Sequence, residues 1–164
     1  MSESIKNIIF REANLNDLKA LCICGKALLQ YEHKFDETID IYWLEEKEGG
    51  GFLRERIKDE NGIVLLAESD AKIIGYLAGG LVEPEPFRNL PANAVMELEE
   101  IFVDNNFRGH DIGGKLLAAF VDWAKTRGAS KMKVVVSASN QGAIGFYKRM
   151  FFKEYDLILE RELR

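Results

Sequence analysis

The sequence predicts one α/β domain with a mixed, mostly antiparallel central sheet flanked by helices. Apolar runs at 63–68 and 73–82, joined by a short polar turn, predict an antiparallel hairpin. Strands predicted at 95–103 and 131–137 enclose an apolar stripe at helical spacing, which is typical of a helical crossover. The 164 residues suit one hydrophobic core, so we expect a single domain over 1–164.

The N-terminal third is predicted to be mainly helical after a first short strand at 7–11. Asn14 is predicted to start a helix, with Asp17 three residues later as in a capping box. One face of this helix carries Leu18, Leu21, Cys22, Gly25, Leu28 and Leu29. Region 31–61 is less regular because acidic residues and three consecutive glycines interrupt it, so we predict a second, irregular helical segment there, with a helix from about 51 to 59.

The second half of the chain follows a loop at 83–93 that contains all three prolines. After the next strand, the apolar stripe of a helix comprises Ile112, Leu116, Leu117, Phe120, Val121 and Ala124. Gly128 is predicted to end this helix as a C-cap, and a short helix is predicted over 140–149. Residues 151–163 alternate between apolar and polar side chains, which predicts one or two final strands.

The composition argues against several classes of partner. A net charge of -5 and an isoelectric point near 5.2 argue against nucleic acid, whose binding needs clustered Lys and Arg. Cys22 and Cys24 do not face each other on a helix, and with two distant histidines they form no zinc site, so we expect no disulfide and no metal. We find neither a signal peptide nor the ~18 consecutive apolar residues of a membrane span. We therefore expect a cytoplasmic protein without a membrane partner.

A glycine-rich junction between a strand and a helix spans 103–115. Its glycines are Gly109, Gly113 and Gly114. Free N–H groups and a positive helix dipole make such junctions anion sites, and Arg108 adds a cation that suits phosphate. The spacing is neither that of a Walker loop nor that of a Rossmann fingerprint. On the residues alone, an ordinary connection with Asp111 as N-cap explains the segment equally well.

The strand before this junction changes its period in the middle. Leu98 and Ile101 lie three residues apart, whereas Ile101 and Val103 keep the spacing of two. One extra residue near Glu99 and Glu100 restores the inward direction, as a β-bulge does. A strand that parts from its neighbour there leaves backbone groups available to an extended ligand. A strand with two mixed faces explains the same pattern.

Two segments resemble motifs of the GNAT superfamily of N-acetyltransferases. Residues 97–115 (ELEEIFVDNNFRGHDIGGK) resemble its acetyl-CoA-binding motif, and 137–152 (SASNQGAIGFYKRMFF) resemble the motif that follows. The resemblance is closest to the branch with spermidine/spermine and aminoglycoside acetyltransferases, and it extends loosely over 5–160. It implies the GNAT-like acyl-CoA N-acyltransferase fold and acetyl-CoA as the acyl donor. The implied reaction is direct attack on the thioester by a primary amine of a small molecule or peptide.

The resemblance also assigns residues to the cofactor. The backbone of 101–103 is expected along the pantetheine and thioester; these residues are Ile101, Phe102 and Val103. The loop amides are expected around the pyrophosphate, and they belong to Arg108, Gly109, His110, Asp111, Ile112, Gly113 and Gly114. Asn140 and Phe146 are expected beside the pantetheine. The family's loop pattern is R/Q-x-x-G-x-G/A, and Asp111 stands where its first glycine is usual, so an inward-pointing carboxylate would weaken CoA binding.

The catalytic assignments rest on the same resemblance. Tyr147 matches the family's frequent general acid, which protonates the departing thiolate. Glu99 matches the acid of the resembling branch, so we favour Glu99 as the base that deprotonates the amine. Glu100 is the alternative base. It is otherwise expected to bind the substrate together with Tyr31 and Glu32, because carboxylates and a ring face suit a cation.

The sequence therefore favours an acetyl-CoA-dependent N-acetyltransferase, and the resemblance leaves room for a homodimer. The alternative is a non-catalytic domain of the same fold that binds CoA or a protein as a sensor, and Asp111 is the feature that favours it. A nucleotide-binding α/β protein is a third reading, which the missing Walker and Rossmann spacings disfavour.

Overall fold

Within residues 7–45 and 47–163, which the computed structural model describes, five strands form one sheet in chain order. The strands are β1 (Ile9–Glu12), β2 (Gly62–Ser69), β3 (Lys72–Val82), β4 (Val95–Val103) and β5 (Lys131–Val134). The helices are α1 (Leu18–Glu32), α2 (Lys47–Lys58), α3 (Ile112–Thr126) and α4 (Gln141–Arg149). Residues 1–6, where no signal peptide is expected, lie outside the described residues.

The sheet is antiparallel from β1 to β4 and parallel between β4 and β5. The predicted hairpin joins β2 to β3 through Asp70 and Ala71, whose φ angles of 49° and 60° are both positive, as a type I′ turn requires. Helix α3 is the crossover that returns the chain so that β5 runs parallel to β4. The mixed α/β fold expected from the sequence is therefore confirmed.

Successive side chains of β2 alternate between two hydrophobic cores on opposite faces of the sheet. Ile63 and Leu65 pack on the face covered by α3 and α4, whereas Val64 and Leu66 pack on the face covered by α1 and α2. The first core is completed by Ile112, Leu116, Leu117 and Phe120, and the second by Leu21, Leu28, Leu44 and Leu53. We call these the α3–α4 face and the α1–α2 face.

The ends of α1 and α3 are set by the residues expected from the sequence. The Asn14 side chain accepts a hydrogen bond from the N–H of Asn16 at 2.9 Å, and Asp17 accepts one from the N–H of Asn14 at 2.8 Å. This capping box encloses one 3₁₀ turn, from which α1 continues. Beyond α3, Gly128 has a φ of 81°, the left-handed conformation that ends many helices.

Helix α2 begins at Lys47 and runs through the three consecutive glycines, whereas the sequence predicts a helix only from about residue 51. A side chain at Gly49 would overlap the backbone carbonyl of Trp43, so the missing Cβ allows the helix to lie against the preceding chain. This close contact outweighs the poor helix propensity of glycine, and the predicted start of the helix was wrong for that reason.

The prediction of one or two strands in 151–163 is wrong, because none of these described residues belongs to a strand. Phe151 leaves α4 with a φ of 67°, and Phe152 packs on Tyr147 with ring centroids 5.5 Å apart. The alternation that predicted a strand is present, but a strand forms only where a neighbouring backbone pairs with it.

In the described part of the chain, no helix combines the length and the apolarity needed to cross a bilayer.

Candidate active site

Strand β4 is paired along its length with β3 but only at its start with β5. The parallel pairing with β5 stops at Leu98, and β5 itself ends at Val134, before its predicted end. From there β4 continues to Val103 with no strand beside it on that side in the described chain. An extended ligand can therefore lie along 101–103 and bind the backbone as an added strand would.

A β-bulge lies at the point where the two strands part. In the register of β3 with β4, Ala78 faces Glu100 and the next residue, Gly79, faces Leu98. Glu99 is thus the extra residue with no partner on β3. The bulge expected from the period of the sequence is present.

The bulge decides which side chains of β4 lie on which face. Because one residue is inserted, Ile101 packs with Leu98 in the core of the α3–α4 face. Glu100 and Phe102 instead turn to the α1–α2 face, where both contact Tyr76. Without the bulge, Glu100 would point with Leu98 into the apolar core under α3.

The loop between β4 and α3 is held in shape by its own hydrogen bonds. Gly109 and Asp111 have φ angles of 82° and 58°, which turn the chain sharply into the helix. The Arg108 guanidinium donates to the carbonyl of Val103 at 3.2 Å. His110 donates from Nδ1 to two loop carbonyls, the longer contact being 3.2 Å. Contacts within the chain therefore hold the loop in this shape.

The N-terminus of α3 is open to an anion. The Asp111 side chain makes no capping hydrogen bond, and the N–H of Lys115 donates to the Asp111 carbonyl at 3.0 Å, where helical bonding begins. The preceding amides therefore point out of the helix end, where the dipole is positive. A Cβ at Gly113 would lie 3.4 Å from the Phe146 ring, whereas a Cβ at Gly114 would overlap the Asp111 carboxylate. The carboxylate thus lies about 100° around the helix from the side that faces Phe146.

Helix α4 carries two aromatic rings, and one of them, that of Phe146, lies beside the start of α3. Asn140 is buried, and its side-chain oxygen caps the helix by accepting from the N–H of Ala143 at 3.1 Å. Phe146 and Tyr147 make an edge contact, with ring centroids 5.3 Å apart. Tyr147 is buried, and this burial, with the negative charge of Glu32, raises the pKa of its hydroxyl above the usual range. The phenol therefore stays protonated at neutral pH.

Glu100 is held by a buried tyrosine. The hydroxyl of Tyr76, a fully buried residue, donates to Oε2 of Glu100 at 2.8 Å. Burial raises the pKa of Glu100 to about 7, the Tyr76 hydrogen bond acts in the opposite direction, and the charges of Glu32 and Glu99 add to the rise. A carboxyl with this pKa exchanges its proton near neutral pH.

Glu99, the bulged residue, is bound by an arginine from α2. Arg56 donates to both carboxylate oxygens, from Nε to Oε2 at 2.7 Å and from Nη2 to Oε1 at 2.5 Å. This bidentate geometry is the strong form of an arginine–carboxylate pair. The two neighbouring glutamates are therefore in different states, one in an ion pair and the other bound by a neutral phenol.

The last two residues of α1, Tyr31 and Glu32, lie at one side of the candidate site. The guanidinium of Arg108 lies over the Tyr31 ring, 5.3 Å from its centroid, and a Cβ at Gly142 would come within 3.9 Å of the Tyr31 hydroxyl. Tyr31 thus lies between the loop that joins β4 to α3 and the start of α4. The next residue, Glu32, is half-buried, and burial raises its pKa. Its charge also raises the pKa of both Glu100 and Tyr147, so a carboxylate lies near the base and acid candidates.

Most of the predicted site residues lie around the gap between β4 and β5. Two residues that the sequence analysis missed are Tyr76 and Arg56. Tyr76 carried a signal, because a tyrosine inside an aliphatic strand needs a partner for its hydroxyl. Nothing in the sequence around Arg56 distinguishes it from other helical arginines.

Among the described residues, no group of three potential metal ligands converges.

The five-stranded mixed sheet, in which a bulged strand parts from its neighbour beside an uncapped helix end, agrees with the acyl-CoA N-acyltransferase fold that the sequence resemblance implies. The model of the acetyltransferase (GNAT) family matches residues 27–152, and the chain belongs to this family. The family match supports acetyl-CoA-dependent transfer of an acetyl group to amines in general.

Individual relatives agree with this assignment. An uncharacterized N-acetyltransferase of Methanocaldococcus jannaschii is 36% identical over 101 residues, which are 62% of this chain and 43% of that protein. The chain thus spans less than half of that relative's length. A mutant of a Bacillus halodurans protein has the same fold, with a TM-score of 0.82 at 20% identity over 95% of this chain and 99% of the other. The PaiA N-acetyltransferase of Thermoplasma acidophilum, solved with coenzyme A, has a TM-score of 0.74 at 21% identity over 93% of each chain.

The environment of Glu100 predicts how its carboxyl titrates. We expect a pKa near 7, which the Tyr76→Phe variant raises further because it removes the hydrogen bond to the carboxylate. Carbon NMR of the labelled glutamate side chains across a pH series measures both values. A wild-type pKa near the usual 4.5 would contradict the expected environment.

The same raised pKa links Glu100 to stability. The folded state binds more protons than the unfolded state between pH 4.5 and about 7, so this carboxyl lowers stability as the pH rises through that window. Glu100→Gln is therefore expected to raise the melting temperature at about pH 8 and to have little effect below pH 4.5. Scanning calorimetry at the two pH values is the measurement.

Proposed function

We propose that residues 1–164 form one acetyl-CoA-dependent N-acetyltransferase domain that acetylates a primary amine of a small molecule or peptide. The observation that carries the proposal is the gap between β4 and β5 beside the uncapped start of α3. The gap offers backbone groups to an extended amide-containing chain, and the helix end offers N–H groups to a pyrophosphate. CoA combines both features, because it carries a pyrophosphate and an extended arm that contains amides.

In this proposal, the described residues supply a group for each part of the cofactor. The backbone of 101–103 would hold the pantetheine, and the amides of 108–114 would hold the pyrophosphate. Phe146 would lie beside the gap between β4 and β5. The side-chain oxygen of Asn140 already caps α4, so in this proposal Asn140 holds the start of that helix in position. Bound acetyl-CoA supplies a thioester as the acyl donor. In this proposal, an N–H of Ile101 or Phe102 stabilises the negative charge on the reacting oxygen.

We assign the base role to Glu100 rather than to Glu99. An alkylammonium has a pKa of about 10.4, so attack on the thioester requires that a base remove a proton. Both oxygens of Glu99 are engaged by Arg56, whereas Glu100 is bound by Tyr76 through Oε2. Glu100 also lies on the α1–α2 face, opposite the core that contains Phe146. An amine and the cofactor can therefore approach the gap from opposite faces of the sheet.

Tyr147 is the proposed acid. Its buried hydroxyl carries a proton throughout the physiological pH range, because burial and Glu32 raise its pKa. Donation of that proton to the departing thiolate completes the transfer. Glu32 and Glu100 supply negative charge for a cationic amine, and Tyr31 supplies a ring beside them. A cation between the two carboxylates would also lower the pKa of each.

The alternative is a non-catalytic domain of the same fold that binds CoA or a protein as a sensor, and the observation that favours it is the negative charge of Asp111 at the N-cap of α3. We further propose a cytoplasmic location and a homodimer. The unpaired thiols of Cys22 and Cys24 suit a reducing compartment.

The proposal is tested by thiol release from acetyl-CoA in the presence of a panel of diamines, amino acids, aminoglycosides and lysine peptides. We expect turnover with at least one amine class. Tyr147→Phe should bind CoA as the wild type does but turn over about 100-fold or more slowly, because only the proton donor is lost. Binding of CoA without turnover of any amine would favour the sensor instead.

Paired substitutions distinguish the two glutamates. Once an acceptor is known, kcat/KM should rise as the pH passes through about 7, where Glu100 loses its proton. Glu100→Gln should abolish this step and lower kcat/KM about 100-fold or more. Glu99→Gln is the matched control and should keep the step, since Glu99 is paired with Arg56. The reverse pattern would assign the base to Glu99.

Asp111 is expected to weaken CoA binding through its charge. Asp111→Asn keeps a residue type that tolerates positive φ, and it should tighten the calorimetric Kd for CoA about two- to fivefold. Asp122→Asn removes a charge from the exposed side of the same helix, away from its start, and should leave the Kd unchanged. If the wild type does not bind CoA and Asp111→Gly does, the loop has lost its function, and a non-catalytic domain that binds a protein is favoured.

A further inference from the structure

Helix α1 lies against the hydroxyl of Tyr76 at Gly25, a buried residue on the apolar face of the helix. A Cβ at this position would lie 3.0 Å from the Tyr76 hydroxyl oxygen and would overlap Cδ1 of Leu44. Every residue type other than glycine brings that Cβ. Only glycine therefore allows the helix backbone to approach the hydroxyl this closely.

The two neighbours of Gly25 are held in place by the core around them. Leu44 is 1% exposed and Tyr76 is 0% exposed, and both belong to the core of the α1–α2 face. The Tyr76 ring also packs on Phe102, its partner in the strand register, with ring centroids 6.1 Å apart. Because protein interiors are close-packed, neither side chain can yield to an added methyl group without moving others.

The register of β3 with β4 explains why the Tyr76 hydroxyl reaches Glu100. Tyr76 lies opposite Phe102, and Glu100 is two residues before Phe102 on the same face of β4. Diagonal neighbours of this kind are within reach of long side chains. Burial, and then the charge of Glu100, raises the pKa of Tyr76 well above its usual range. The phenol therefore keeps its single proton and donates it to Oε2 of Glu100.

The two carboxylate oxygens of Glu100 have different surroundings. Oε2 accepts the hydrogen bond from Tyr76, whereas Oε1 accepts none from the described residues. In the same part of the chain, no fully buried side-chain oxygen lacks a partner, so Oε1 is accessible from outside the core. The hydrogen bond from Tyr76 thus leaves Oε1 as the oxygen that an amine can reach.

We propose that Gly25 is a positioning residue, which leaves the space for the Tyr76 hydroxyl and through it directs Oε1 of Glu100 to the acceptor amine. The inference rests on the base role proposed above for Glu100. It adds that the packing of α1 on β3 sets the direction and the basicity of that carboxylate. A methyl group at residue 25 would displace the hydroxyl and weaken its hydrogen bond to Oε2, so the charged form of Glu100 would lose stabilisation.

The titratable and charged groups around Glu100 come from four elements. They are Cys22 and Glu32 on α1, Arg56 on α2, Tyr76 on β3 and Glu99 on β4. Among them, Tyr76 is the group within 3.0 Å of a Cβ at residue 25. A change in the titration of Glu100 caused by that Cβ therefore reports on the Tyr76 hydrogen bond.

The test is the titration of Glu100 in the full-length protein, followed by carbon NMR in Gly25→Ala, Tyr76→Phe and the double variant. Gly25→Ala should move the midpoint up by about 1 pH unit, in the same direction as Tyr76→Phe. The double variant should move it no further than Tyr76→Phe alone, because the hydroxyl is already absent. Gly51→Ala is the matched control. It is the same substitution inside a helix, its Cβ would have no atom within 4 Å, and it should leave the midpoint unchanged.

Turnover provides the second measurement once an acceptor is known. Gly25→Ala should lower kcat/KM at pH 7 about tenfold and move its pH midpoint upward, with KM for acetyl-CoA unchanged. If Gly25→Ala alone does not fold, the same substitution is made together with Leu44→Val and compared with Leu44→Val. Valine lacks the Cδ1 atom that the added methyl would overlap.

The inference and the proposed function fail in different ways. An unchanged midpoint in Gly25→Ala, or an equal shift with and without the Tyr76 hydroxyl, would overturn the positioning role and leave acetyl transfer intact. A shifted midpoint without turnover of any amine by the wild type would instead overturn the base role of Glu100, and with it the catalytic meaning of Gly25.

Discussion

One extra residue in β4 is the constraint on which the site depends. Inserting Glu99 into the ladder reverses the facing of every residue that follows it on the strand. Leu98 and Ile101 then share the apolar core under α3, and Glu100 is delivered to the opposite face. The parallel pairing with β5 ends at the same point, so the bulge coincides with the gap in which the acyl donor is proposed to bind.

The second organising feature is that two adjacent carboxylates, those of Glu99 and Glu100, have different partners. Arg56 binds Glu99 through both carboxylate oxygens, while Glu100 accepts a neutral hydrogen bond from the fully buried Tyr76. Burial therefore governs the pKa of Glu100 and moves it to about 7. Had Arg56 bound Glu100 instead, that carboxylate would be held in its charged form and its basicity would fall.

The sequence predicted the features that depend on neighbouring residues. The break in period between Leu98 and Ile101 predicted the bulge, and Asn14 with Asp17 predicted the capping box. The errors arose where a distant contact decides the outcome. The glycines of α2 belong to the helix because Gly49 lies against the Trp43 carbonyl, and 151–163 is not a strand because no described backbone pairs with it.

The sequence by itself determined the order of the elements as far as α4 and the loop that can bind an anion, because periodicity, turn residues and glycine spacing are local. The family followed from the resemblance of two motifs. Only the tertiary structure decided which partner each of the two adjacent glutamates has, Arg56 for Glu99 and Tyr76 for Glu100. Arg56 and Tyr76 are separated in sequence from Glu99 and Glu100 by 43 and 24 positions. The fold alone brings these partners together, and burial in the folded protein alone shifts the pKa of Glu100.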